Sequence, residues 1–200
     1  ETFDVYLNDF DKNATNDIVF SYFNGGKKLP LRGRECSSQQ MPAIATKFAT
    51  YDAFSRASLE DVYTEQALEN SLHYQVKTFA SIYLENKNGS FVVHKLPMLA
   101  QVSAINQILI EDFDGDGHLD AVVAGNLHWT EVETPGNDAG IGLFLKGNGK
   151  GSFEPVRGFK SGLYLPGDVK DLAKIKVGNS HYIVAARNDD YLKWVKIEKN

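Results

Sequence analysis

The chain has 200 residues, 42% hydrophobic, 24% charged and 12% aromatic, with 17 glycines; this length and balance supply a sizeable core and exclude wholesale disorder. Lys and Arg number 21 against 26 Asp and Glu, a formal charge of −5, and such a surface repels a phosphate backbone, which argues against a nucleic-acid partner. No apolar run is long enough for a membrane span, Glu1-Thr2-Phe3-Asp4 lacks the basic and apolar regions of a signal peptide, and the single Cys36 forms no internal disulfide.

In chain order, a first unit has strands A and B near 3–7 and 17–23 and strands C and D near 78–85 and 90–96. Between B and C lies an insertion, 24–77, expected to be mostly helical and to pack on one face of the strands. Within it Ser58 is placed as an N-cap with Asp61 three residues on, and Leu59, Val62, Tyr63, Ala67 and Leu68 keep a helical period. A second unit has strands near 105–111, 119–125, 141–146 and 152–157, and a third, weaker unit has strands near 172–177, 182–188 and 191–197. The units repeat one another: Asp9-Phe10-Asp11-Lys12-Asn13-Ala14-Thr15-Asn16-Asp17 overlays Asp112-Phe113-Asp114-Gly115-Asp116-Gly117-His118-Leu119-Asp120 without a gap. Four short strands recurring at such a spacing are the signature of a β-propeller blade. The expected fold class is therefore all-β with a helical insertion, a single β-propeller segment of about three four-stranded blades at 1–97, 98–160 and 161–200.

The loop from Asp112 to Asp120 puts side-chain oxygens at alternate positions, so a turning backbone can wrap them around one hard cation. Asp112, Asp114, Asp116 and Asp120 offer carboxylates and His118 its backbone carbonyl. Carboxylates crowded this closely repel one another without a divalent ion, and an all-oxygen anionic donor set suits Ca²⁺ better than Mg²⁺ or zinc. An EF-hand is excluded because its twelfth place is Val123 and the flanks are strand-like. The first loop offers Asp9, Asp11, Asn13 and Asp17, with Thr15 as carbonyl donor, and replaces two glycines by Lys12 and Ala14. Fewer carboxylates and a nearby lysine predict weaker binding there, so one calcium is expected and a second is the weaker site.

These loops resemble the FG-GAP or VCBS repeat, the calcium-loop blade of integrin α-subunit propellers and many secreted bacterial proteins, and Gly147-Asn148-Gly149-Lys150-Gly151-Ser152-Phe153 resembles that family's C-to-D turn. A softer resemblance links Leu29-Pro30-Leu31, Gln40-Met41-Pro42 and Phe48-Ala49-Thr50-Tyr51 to the C-terminal region of VCBS-repeat proteins related to the ASPIC/UnbV group. The resemblance implies a seven-bladed parent of which this chain is a C-terminal part, continuing from N-terminal blades. It also implies an extracellular, periplasmic or cell-surface location, where calcium is millimolar.

Antiparallel strands alternate ends, so A-to-B loops and C-to-D turns share one end and B-to-C connections the other. Both long B-to-C segments, 24–77 and 127–140, are thus expected opposite the metal. His128, Trp129, Glu131 and Tyr51 are the candidate contacts there, aromatic and polar groups suited to a protein or glycan ligand. The expected function is non-enzymatic recognition with a structural metal; the alternative is a metal-dependent carbohydrate-active enzyme, although no nucleophile-and-base arrangement is legible. The remaining histidines show no ligand spacing, and 147–152 departs from a phosphate-binding loop because Gly151 separates Lys150 from Ser152.

Overall fold

A computed structural model describes residues 2–131 and 134–198. The protein is mostly β, with four antiparallel sheets, and divides into two compact units, one up to Phe79 and one from Ala80.

In the first unit, β1 (Phe3–Asn8), β2 (Asp17–Asn24), β3 (Lys27–Pro30) and β4 (Leu72–Val76) form one sheet in the order β3-β2-β1-β4. Asp4 and Tyr6 on β1 alternate inward with Val19 and Ser21 on β2, the period-2 pattern of a half-buried strand pair. Five short helices connect β3 to β4: α1 (Arg34–Gln40), α2 (Ala43–Lys47), α3 (Tyr51–Ser55), α4 (Leu59–Tyr63) and α5 (Glu65–Glu69). The expected cap at Ser58 is a full capping box: Ser58 Oγ accepts from the Asp61 N–H at 3.1 Å and Asp61 Oδ2 accepts from the Ser58 N–H at 2.8 Å. Behind it Leu59, Val62 and Tyr63 join Ile44, Phe54 and Leu68 against Tyr6 and Val19 of the sheet. The helices supply most of this core.

Two strand assignments differ from expectation. The segment after β2 turns back at once through Gly25 and Gly26, whose φ values of 57° and 78° are those a two-residue hairpin turn requires. That adds β3 to the outer edge of β2 at far smaller loop-closure cost than a connection spanning 24–77. Leu72-His73-Tyr74-Gln75-Val76, inside the segment read as mostly helical, pairs with β1. The strands read as C and D do form, as β5 (Ile82–Lys87) and β6 (Ser90–Lys95), but they make a separate two-stranded sheet in the second unit.

After a 3-10 turn at Met98–Ala100, the second unit runs through β7 (Gln107–Glu111), β8 (Asp120–Ala124), β9 (Leu143–Gly147) and β10 (Phe153–Val156), an antiparallel meander in chain order. A short helix α6 (Gly158–Ser161) leads to β11 (Val169–Val177), β12 (Ser180–Arg187) and β13 (Lys193–Ile197), a three-stranded sheet. All five residues of β8 are buried. Val122 and Ala124 pack with Leu165, Val169, Leu172, Ile183 and Ala185, whereas Ala121 and Val123 pack with Ala100 and Leu145. Covered on both faces, β8 reads in sequence as the continuous apolar run Ala121-Val122-Val123-Ala124.

Candidate metal loops and the opposite face

The two acidic loops occupy equivalent places, one between β1 and β2 and the other between β7 and β8. Four backbone-to-side-chain hydrogen bonds recur in both. Phe10 N–H donates to Asp17 Oδ2 and Phe113 N–H to Asp120 Oδ2, both at 3.0 Å. Ala14 N–H donates to Asp9 Oδ2 at 2.9 Å and Gly117 N–H to Asp112 Oδ2 at 3.0 Å. Thr15 and His118 N–H groups reach the Asn13 and Asp116 Oδ1 atoms at 2.8 and 2.9 Å, and Asn13 and Asp116 N–H groups reach the Asp11 and Asp114 Oδ1 atoms at 3.2 and 3.1 Å. Each carboxylate thus faces a backbone donor that holds it toward the loop interior.

This winding needs left-handed backbone at two positions. Gly115 and Gly117 adopt it at φ 81° and 87°; Lys12 and Ala14 adopt it in the first loop at 62° and 68°. A side chain there costs about 1–2 kcal/mol per residue, so the first loop holds the same shape under strain.

Three carboxylates converge in each loop. Single oxygens of Asp9, Asp11 and Asp17 lie within 4.8 Å of one another, as do those of Asp112, Asp114 and Asp116. Asp120 is employed differently. Fully buried, it accepts from Phe113 N–H through Oδ2 and from Gly147 N–H through Oδ1 at 2.9 Å, joining the loop to the end of β9. Asn13 Oδ1 accepts from Thr15 N–H and its amide donates to Asp11 Oδ2 at 3.1 Å. The His118 ring lies over the β9–β10 turn, where a Cβ on Gly149 would come within 2.4 Å of its Nδ1. The loop and that turn therefore meet at one end of the meander.

Sequence reasoning overlooked Lys146. Its ammonium, on β9, pairs with Asp114 and, at 2.8 Å, with Asp116. The hydrogen bonds it donates to both carboxylates push its pKa up, and the Lys146 bond, helped by the His118 N–H, holds Asp116 below the usual carboxylate range. An ammonium here competes with any metal for the same oxygens. Lys146→Met is expected to tighten calcium binding at the second loop up to about fivefold, the worth of a partly exposed ion pair, as read by calorimetric titration. Inspecting the strand facing the loop for a cation at alternating register was the signal available.

At the other end of the meander, the connection 125–142 is organised by Asn126, also missed. Completely buried at φ 137°, Asn126 accepts through Oδ1 from Ser103 Oγ at 2.6 Å and Gly140 N–H at 2.9 Å, and donates through Nδ2 to the carbonyls of Gly140 and Gly167 at 2.8 Å. Trp129 lies farther along this connection, 72% exposed, beside exposed His128 and Glu131; Glu131 Oε1 accepts from Thr134 Oγ1. Tyr51 belongs to the first unit, where the expectation for 24–77 fails: β3 turns the chain back, so the helices leave it at Pro30 and enter β4 at Leu72 on the acidic-loop side of the sheet, and Cys36 and Gln39 of α1 line one hollow with Asn13 and Thr15. Tyr51 itself donates to Glu35 Oε2 at 2.6 Å and stacks on Arg34, and the Glu35 carboxylate holds its pKa up. Comparison with protein-family models, curated proteins and solved structures gave no match.

Proposed function

We propose that the protein is a calcium-stabilised β-propeller segment of the FG-GAP/VCBS type that serves in recognition, with the metal structural and the ligand met chiefly by the connection after β8, opposite the second metal loop. The observation that carries this reading is the duplicated loop: two segments far apart in sequence share four backbone-to-side-chain hydrogen bonds and each gathers three carboxylates. Turns closed only by Asx hydrogen bonds have no need of a third converging carboxylate, whereas a hard divalent cation does. The chain supplies Asp112, Asp114 and Asp116 at the second loop and Asp9, Asp11 and Asp17 at the first; the ion would offset their mutual repulsion and rigidify both hairpins. Exposed Trp129 with His128 and Glu131, and separately Tyr51, are the contacts offered to a protein or glycan. Millimolar calcium outside the cytoplasm suits loops of this kind.

Calcium titration of the intact chain tests the reading. The second loop is expected to bind more tightly than the first, and Asp114→Ala with Asp116→Ala is expected to remove the tighter site alone. Saturation to a hundredfold over Kd is worth about 2.7 kcal/mol, which raises the melting temperature by about 5–10 °C. Absence of binding at millimolar calcium would refute the metal assignment.

A further inference from the structure

We propose that the unit from Ala80 carries a binding cavity for an amphipathic organic anion, a medium-chain or aromatic carboxylate whose apolar body fills the cavity and whose headgroup meets Arg157. This goes beyond the calcium reading and requires no ion.

The cavity, about 740 Å³, opens at the end of the meander remote from the carboxylate loop. Its size falls in the range of small-molecule sites. Val102, Ile105, Val123, Ile141, Leu143 and Phe159 form much of its wall. Val102, Ile141 and Phe159 are 45%, 47% and 79% exposed, so large apolar side chains converge on one concavity while still facing water, an arrangement that marks binding sites. Trp129, His128 and Glu131 do not line it.

The wall is fixed in advance. Asn126 ties Ser103 and Gly140, both lining residues, to each other and to the Gly167 carbonyl, and the Leu165 N–H donates to the Ile141 carbonyl at 2.7 Å. A ligand entering such a cavity does not have to order its walls, which spares a main cost of binding.

Charge selects the ligand class. Among the described residues, Arg157 is the only charged side chain lining the cavity, and it is exposed and has no carboxylate partner there. Tyr164 is also on the lining. A guanidinium at the rim of an apolar hollow matches a carboxylate on a hydrocarbon or aromatic body. A sugar would leave most of its hydroxyls against apolar wall without partners.

Dodecanoate, with dodecan-1-ol as its neutral counterpart, is the probe for calorimetry on the intact chain. Saturable one-to-one binding of dodecanoate is expected. Arg157→Gln should weaken it about threefold to fivefold while leaving dodecan-1-ol unaffected. Val102→Trp, which fills the hollow from an exposed position, should abolish both; Ile141→Trp serves if that variant fails to fold by circular dichroism. Absence of saturable binding, or binding indifferent to these substitutions, overturns the proposal. So does concentration-dependent self-association in sedimentation that Val102→Trp removes, since a second copy of the chain would then be the occupant.

Discussion

Asp120→Ala is expected to destabilise the unit from Ala80 by about 2–5 kcal/mol, and to do so in calcium-free buffer. Both oxygens of this fully buried carboxylate accept backbone N–H groups, from Phe113 and Gly147. Truncation strands two donors, each costing about 1–3 kcal/mol when buried without a partner. The damage spreads because these donors belong to different elements: Phe113 begins the acidic loop and Gly147 ends β9. Gly147 has no room to adjust, since a Cβ there would lie 1.9 Å from the Leu119 carbonyl oxygen. Asp120→Asn retains one acceptor oxygen and should lose about half as much. Urea unfolding with and without chelator distinguishes the roles: a brace is lost in both conditions, whereas a residue acting only through a metal would matter only when calcium is present. An Asp120→Ala protein as stable as the parent in chelator would refute the brace.

The sequence made the repeated loops legible because their chemistry is local. Asp at alternate positions, with glycine or its strained substitute between, dictates the Asx bonds that shape each turn, and both loops took that shape. The meander was equally readable: each of its strands is bounded by Gly, Asn or Asp clusters, and each pairs with its neighbour in sequence. The capping box at Ser58 needed only a three-residue spacing. What escaped was non-local. The pairing of β4 with β1 spans the whole helical segment, and nothing in Leu72-His73-Tyr74-Gln75-Val76 states which edge it will join. Asp120 and Asp17 carry the same letter as the other loop aspartates, yet burial and the N–H groups nearby decide their work. Lys146 and Asn126 act on residues brought close only by the sheet, and neither belongs to a sequence motif.

Asp4 gives the first unit its own dependence on acid. On β1 it sits opposite Ser21 and Gln75, completely buried, and accepts from His73 Nε2 at 2.6 Å, Gln75 Nε2 at 3.0 Å and Thr2 Oγ1 at 2.9 Å, with Lys28 Nζ at 3.6 Å. Burial opposes its ionisation, but the hydrogen bonds from Gln75, His73 and Thr2 and the charge of Lys28 outweigh it and hold its pKa below the ordinary carboxylate value. A depressed folded-state pKa means that the ionised form is favoured by folding. Its contribution is therefore complete above the unfolded pKa of about 3.9 and disappears as pH falls through the lower folded value. Asp4→Asn keeps the shape but turns an amide toward donors that need an acceptor, and is expected to cost about 2–4 kcal/mol at neutral pH. Measured by urea unfolding from neutral pH down to about pH 2.5, the parent and variant curves should converge, because protonated Asp4 also faces those donors with a proton too many. Curves that stay parallel throughout would mean that the Asp4 charge contributes nothing and that the substitution acts only through packing.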